Sequence, residues 1–117
     1  MAQDEAPSEY PPTPRVNNSM LAANVDRFVR LVGTVMKINQ STVTIRTSDK
    51  GETIVHTNSN AVYAEGDVIE YIGSVQPDLS LVAETFAPFP KSFNMDNYNT
   101  MIELARKQYH LFSAVPY

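Results

Sequence analysis

The chain has no cysteine and no tryptophan among its 117 residues. Without cysteine there is no disulfide, no thiolate metal ligand and no cysteine nucleophile, and a reducing compartment suits it. Histidine occurs twice, as His56 and His110, far apart and without motif partners. An isolated histidine of this kind is ordinarily structural. No glycine-rich phosphate loop, nucleophile elbow or metal-ligand spacing is present, and the carboxylates are scattered rather than paired. The expectation is a protein that is not an enzyme and holds no cofactor or metal. No apolar run approaches the ~18 residues of a membrane span, and the first residues carry no apolar signal-peptide core. Asn17-Asn18-Ser19 and Asn39-Gln40-Ser41 match glycosylation sequons, which without an export signal are read as coincidences. Basic residues are not in excess either. The net charge is −4, and Asp4, Glu5 and Glu9 supply three of those negative charges ahead of the first basic residue, Arg15. Modules that bind nucleic acid alone carry a basic patch or stripe, because phosphate neutralisation supplies most of their affinity. The balance here argues against strong binding by the isolated subunit.

What is present is one domain's worth of chain, with 43% hydrophobic residues. Residues 1–14 hold four prolines among acidic and small residues and read as a flexible tail. Ser19 to Asp26 reads as a short helix capped by Ser19, with Met20, Leu21 and Val25 facing the domain. From Phe28 to Ile38 the residues are β-branched or large and apolar, as in a long strand. Its alternation changes phase at Gly33, where a bulge or bend is expected. Further strands are expected over Thr42–Thr47, Thr53–Thr57, Val68–Gln76 and Leu79–Phe86. The turn Ser48-Asp49-Lys50-Gly51 separates two of them, with Gly51 able to take φ > 0. The stretch 58–61 is polar and irregular. Val29-Arg30-Leu31-Val32-Gly33-Thr34-Val35 is echoed in residue type by Ile69-Glu70-Tyr71-Ile72-Gly73-Ser74-Val75, position by position except for charge sign. The echo predicts two similarly bent strands and, if they pair antiparallel, an approach of Arg30 to Glu70 worth ~0.2–1 kcal/mol when exposed. Five short strands followed by a helix are the count of an all-β, five-stranded OB-fold barrel with a C-terminal α-helix. A small open sandwich fits the same pattern.

The final stretch, Met95 to Phe112, is strongly helical in period. Met95, Tyr98, Ile102, Ala105, Tyr109 and Phe112 recur at steps of three and four, and Met101, Leu104 and Leu111 widen that seam. At ~100° per residue the apolar arc spans roughly 200°, twice what docking on one neighbour requires. Asn94 is placed to cap the helix, Asp96 sits in its first turn, and Arg106 and Lys107 lie near its end, which suits the macrodipole. The surplus points to two neighbours, the chain's own barrel and another protein, and packing of both faces within the chain fits the same pattern.

On an OB-fold the nucleic-acid face is that of strands two and three, where stacking aromatics and phosphate-following cations are wanted. Those strands and their surroundings offer Lys37, Arg46 and Lys50 but no aromatic. Phe28, Tyr71 and Phe86 lie on other strands and read as core or interface. A barrel with so poor a binding face and so apolar a closing helix looks like an assembly subunit.

At this point the chain resembles the smallest, 14 kDa-type subunit of eukaryotic replication protein A. The carrying residues are Pro14-Arg15-Val16-Asn17, Met20-Leu21, the Val29–Val35 and Ile69–Val75 strands, and the closing helix with its approach flanked by Pro88 and Pro90. The resemblance implies a structural subunit of a heterotrimeric, nuclear, single-stranded DNA-binding complex of replication, repair and recombination. It implies that the C-terminal helix joins a bundle with the middle and large subunits, which supply most DNA contacts. The division is then a tail at 1–14, a barrel at 15–90 and an assembly helix at 91–117. Carried over by position, Met95, Tyr98, Met101, Ile102, Ala105, Tyr109 and Phe112 are the expected partner contacts. Two alternatives stand beside this: the small OB subunit of a telomere-capping complex, and an autonomous weak nucleic-acid module using Lys37, Arg46 and Lys50.

Overall fold

The computed structural model describes residues 13–57 and 63–113, the last five of these by backbone alone. Most of the expected tail, the 58–61 stretch, and the side chains of Tyr109 and Phe112 therefore lie outside the described residues. Among the described residues, six strands, a 3₁₀ helix and one α-helix follow one another: β1 (Arg15–Val16), the 3₁₀ helix (Asn18–Asn24), β2 (Phe28–Ile38), β3 (Thr42–Thr47), β4 (Glu52–His56), β5 (Val68–Val75), β6 (Leu81–Phe89) and α1 (Met95–Ser113). The sheet order is β1-β2-β3-β4-β6-β5, and β2 also pairs with β5, which closes the barrel. The two-residue strand β1 runs parallel to β2 and was not foreseen from the sequence.

Alternation decides the interior. Val43 and Ile45 of β3 are buried while Thr44 and Arg46 face outward, and Thr53 and Val55 of β4 are buried between exposed Glu52, Ile54 and His56. Tyr71 of β5 is fully buried, with the rings of Tyr63 and Phe86 edge-on or tilted against it. Met20 and Leu21 of the 3₁₀ helix complete the core from one side.

The long strand β2 serves both sides of the barrel. It pairs with β5 over Phe28–Thr34 and with β3 over Gly33–Ile38, so the handover falls at Gly33 and Thr34. A Cβ at Gly33 would lie 2.7 Å from Ile45 Cδ1. Gly33 thus allows a close approach, and the bulge itself comes two residues later, between Val35 and Lys37. In the echoing strand the bulge does fall at the glycine, between Ile72 and Gly73, where the backbone of Val82 and Ala83 occupies the position a Cβ would take. Arg30 and Glu70 meet diagonally rather than face to face, with Nη1 3.8 Å from Oε1.

The turns differ most from expectation. Lys50, at φ 71°, takes the left-handed conformation in the 48–51 turn, and Gly51 does not. Gly51 is small because the Asn18 side chain lies where its Cβ would be. The last strand starts at Leu81, not Leu79, because Leu79 is a left-handed turn residue at φ 68°. Its N–H donates to Gln76 O, and the Gln76 N–H donates to Ser80 O, both at 2.8 Å. The same strand runs on through Pro88 to Phe89. Among the described residues β6 meets β4 only at Val55–Leu81 and His56–Val82, so a residue without an N–H is tolerated there.

Two outcomes follow in equilibrium denaturation. Gly73→Ala is expected to lower stability by about 2–4 kcal/mol, since backbone rather than a side-chain tip must move. Leu79→Gly is expected to raise it by up to about 1 kcal/mol, because a left-handed L-residue is relieved, offset in part by the added freedom of the unfolded chain.

Candidate functional site

Asn94 Oδ1 accepts the Asn97 N–H at 2.9 Å, so the expected cap starts the closing helix. The approach is stiffened by a run of edge-on rings, Phe89 to Phe93 at 4.9 Å and Phe93 to Tyr98 at 5.3 Å. Such pairs add about 0.5–1.5 kcal/mol each beyond burial. Tyr98 and Ile102 are 7% and 3% exposed and pack into the barrel core. Burial of Ile102 alone is worth about 1.5–3 kcal/mol. Burial pushes the Tyr98 phenol up to about 12, helped by the Glu70 carboxylate and opposed by Arg15 and Arg30.

Beside this apolar contact lies a polar one. Asn17 is fully buried, and its Nδ2 donates to Asn99 Oδ1 at 2.8 Å and Glu103 Oε2 at 2.9 Å, both on α1. Ser48 Oγ donates to the same Asn99 oxygen, and Asn17 Oδ1 accepts from Ser19 Oγ. An Asn17 nitrogen so engaged is closed to glycosylation, which disposes of that sequon. The 3₁₀ helix after Asn17 has no side-chain cap from its own N-cap residue. Asp49, from the β3–β4 turn, takes that role: Oδ1 accepts the Asn18 N–H at 3.3 Å and Oδ2 the Ser19 N–H at 3.0 Å. Burial pushes the Asp49 carboxyl up. Hydrogen bonds from the Thr47 hydroxyl and from the N–H groups of Ser19, Gly51 and Asn18 outweigh this and hold it below its ordinary value.

This docking leaves the opposite side of α1 uncovered by the barrel. Met101 and Leu104 are 48% and 54% exposed, with Asn97, Ala105 and Gln108 also exposed. Asn97, Met101, Leu104 and Gln108 follow steps of four, three and four, a heptad seam. The seven residues expected at a partner interface therefore separate. Tyr98 and Ile102 belong to the chain's own core and Met95 is half-buried against it, because the strongest apolar seam went to the nearest neighbour. Met101 and Ala105 are free, while Tyr109 and Phe112 lie outside the described side chains. Leu104, which widens the apolar seam in the sequence, is exposed beside Met101.

The three cations proposed for nucleic acid lie on or just beyond the outer face of β2 and β3. Lys37 stands opposite Thr44 near the end of β2, Arg46 is tied to Glu52 at 3.5 Å, and Lys50 is at a turn tip. The open face of the barrel lies elsewhere, in a shallow cleft between the 39–41 and 76–80 turns. Ser41, His56, Thr57, Gln76, Asp78, Val82 and Glu84 are among its lining residues. Loops in these places and the neighbouring strands are where OB-folds hold oligonucleotides. The cleft lining itself carries two carboxylates, Asp78 and Glu84, and no lysine or arginine, while Arg46 and Glu52 stand on the adjoining strands.

The family model described as Replication factor A protein 3 matches residues 8–112. The chain belongs to that family. Replication factor A protein 3 of Schizosaccharomyces pombe is 27% identical over 101 residues, covering 86% of this chain and 95% of the relative. A 14 kDa subunit of replication protein A from Arabidopsis thaliana is 28% identical over 102 residues, covering 86% and 94%. A chain from the structure of U. maydis replication protein A bound to single-stranded DNA superposes with a TM-score of 0.79 at 26% identity, covering 88% of this chain and 97% of that one. The telomere capping protein Ten1 from Saccharomyces pombe shares the fold at a TM-score of 0.70, with 9% identity and coverage of 81% and 98%. The fold is thus the OB-fold expected from the strand count, and the open-sandwich alternative falls away. The replication factor A protein 3 family is a family of non-enzymatic small subunits of replication protein A, in agreement with the lack of catalytic motifs.

In this family member the turn that seats the 3₁₀ helix is open to a direct test. Asp49→Ala is expected to cost about 1 kcal/mol at neutral pH, the usual value of a lost cap. Because the folded carboxyl titrates below its ordinary value of 3.8, its contribution is present above that value and fades as pH falls through the folded pKa. Denaturation curves of the two proteins should therefore converge in acid.

Proposed function

We propose that this chain is the structural small subunit of a heterotrimeric replication protein A, held in the trimer by its C-terminal helix. The complex would bind single-stranded DNA mainly through its middle and large subunits, in the nucleus, during replication, repair and recombination. The observation that carries this reading is the exposed pair Met101 and Leu104 on a helix whose other side is buried. Exposed large apolar residues at heptad spacing, next to a filled internal seam, are what a helix bundle needs. The barrel then serves as the platform that fixes the helix, with 15–90 and 91–117 dividing the labour. Weak autonomous nucleic-acid binding is disfavoured by the Arg46–Glu52 pair and by Asp78 and Glu84 in the cleft. The likeness to the telomere-capping protein is one of fold alone.

Co-expression with the middle and large subunits tests this. Met101→Asp with Leu104→Asp is expected to abolish co-purification while leaving the thermal midpoint of the isolated chain within a few degrees of the parent. Ile102→Asp is expected to lower that midpoint sharply as well, since it buries a charge in the barrel. Full assembly by the Met101/Leu104 variant would overturn the proposal.

A further inference from the structure

The cleft between the 39–41 and 76–80 turns has no role in helix-mediated assembly, yet three independent features of it call for a ligand. The first is apolar surface. Val82, a lining residue, is 36% exposed and in register with His56, and Ile54, 50% exposed, stands beside the lining on the outer side of β4 that it shares with His56. The second is charge. Asp78 and Glu84 line the cleft without a lysine or arginine among its lining residues, and the cation on the outer face of the neighbouring strand, Arg46, is already matched by Glu52. The third is Leu79, at the cleft's rim between two lining residues, Asp78 and Ser80. It is 39% exposed and held at φ 68°. Glycine or asparagine fits that conformation without strain, and a leucine does not. A strained, solvent-facing leucine points to use of its side chain by something outside the chain.

We propose that this cleft is a docking surface for an extended segment of another protein in which aliphatic and basic side chains alternate. Alternation matches the surface. Every second residue of β4 faces outward, so a strand laid beside it would set aliphatic groups against Ile54, Val82 and Leu79, and its cations would reach Asp78 and Glu84. The carboxylate of Asp78 is fixed for this role by Ser80, whose N–H and Oγ both donate to Oδ1, at 3.0 and 2.6 Å. A nucleic acid strand meets the same two carboxylates as repulsion.

The test uses the full chain, isotopically labelled, with amide shifts followed by NMR. A short peptide alternating leucine and lysine is titrated at moderate salt, beside a leucine–glutamate peptide and an oligothymidine. The expected result is saturable movement of the Ile54, His56, Leu79, Val82 and Glu84 signals with the lysine peptide only. The acidic first fourteen residues attract cations too, so only the cleft signals count. Glu84→Lys should weaken binding about tenfold, as loss and reversal of a rim charge does. Leu79→Gly should also weaken it severalfold while the protein itself becomes more stable, which separates a contact from a folding defect. Movement of the cleft signals by the oligothymidine and not by the lysine peptide would overturn the proposal. So would equal binding of both peptides, no saturable shift, or unchanged affinity in both variants.

Discussion

One buried amide sets the arrangement of this molecule. Asn17 has no contact with solvent, and both of its N–H groups are committed to residues of the closing helix, Asn99 and Glu103. A buried donor left unmatched costs roughly 1–3 kcal/mol, so the helix is held in the one rotation that brings those two acceptors inward. That rotation carries Tyr98 and Ile102 into the core and turns Met101 and Leu104 away from it. Asn17 in turn is positioned by the 3₁₀ helix it precedes, and that helix is capped from the far side by Asp49. The face of the helix left exposed is thus set by hydrogen bonds formed among three separate parts of the chain.

The barrel supplies the rest of the geometry. A single strand, β2, pairs with β5 and then with β3, and the absence of a side chain at Gly33 lets Ile45 close over the handover. Gly73 lets the β5–β6 pair make its own bulge against the backbone of Val82 and Ala83. Closure is complete on that side and slight between β4 and β6, where only two residue pairs join. The cleft of an OB-fold survives there with carboxylates in place of the cations and aromatics that hold oligonucleotides. A cleft lined by carboxylates and an exposed apolar helix face therefore coexist, which supports the structural role proposed above.

Much of this was legible in the residues. The alternation of Val43, Ile45, Thr53 and Val55 marked two strands with one wet face, and the Asn94 cap marked the helix start. The glycine of each echoing strand suggested a bend or bulge, and the bulge falls at Gly73 but two residues beyond Gly33. The turns were less legible. Lys50 rather than Gly51, and Leu79 within an apparently apolar strand start, take the left-handed conformation, because hairpin register selects the position and the residue found there must comply. The periodicity displayed an arc wide enough for two neighbours without dividing it between them. The resemblance, not the periodicity, put Tyr98 and Ile102 among the partner contacts, and both pack into the barrel core.

By itself, then, the sequence determined the elements: where strands alternate, where a helix starts, and that one helix has a wider apolar arc than docking on one neighbour requires. These are local properties, written in spacings of two and of three to four residues. Only the tertiary structure decided how that helix is turned and which side chains remain outside. Asn17 lies 82 residues from Asn99 and 86 from Glu103. The hydrogen bonds that choose the rotation exist only once the chain has brought those distant groups out of water together.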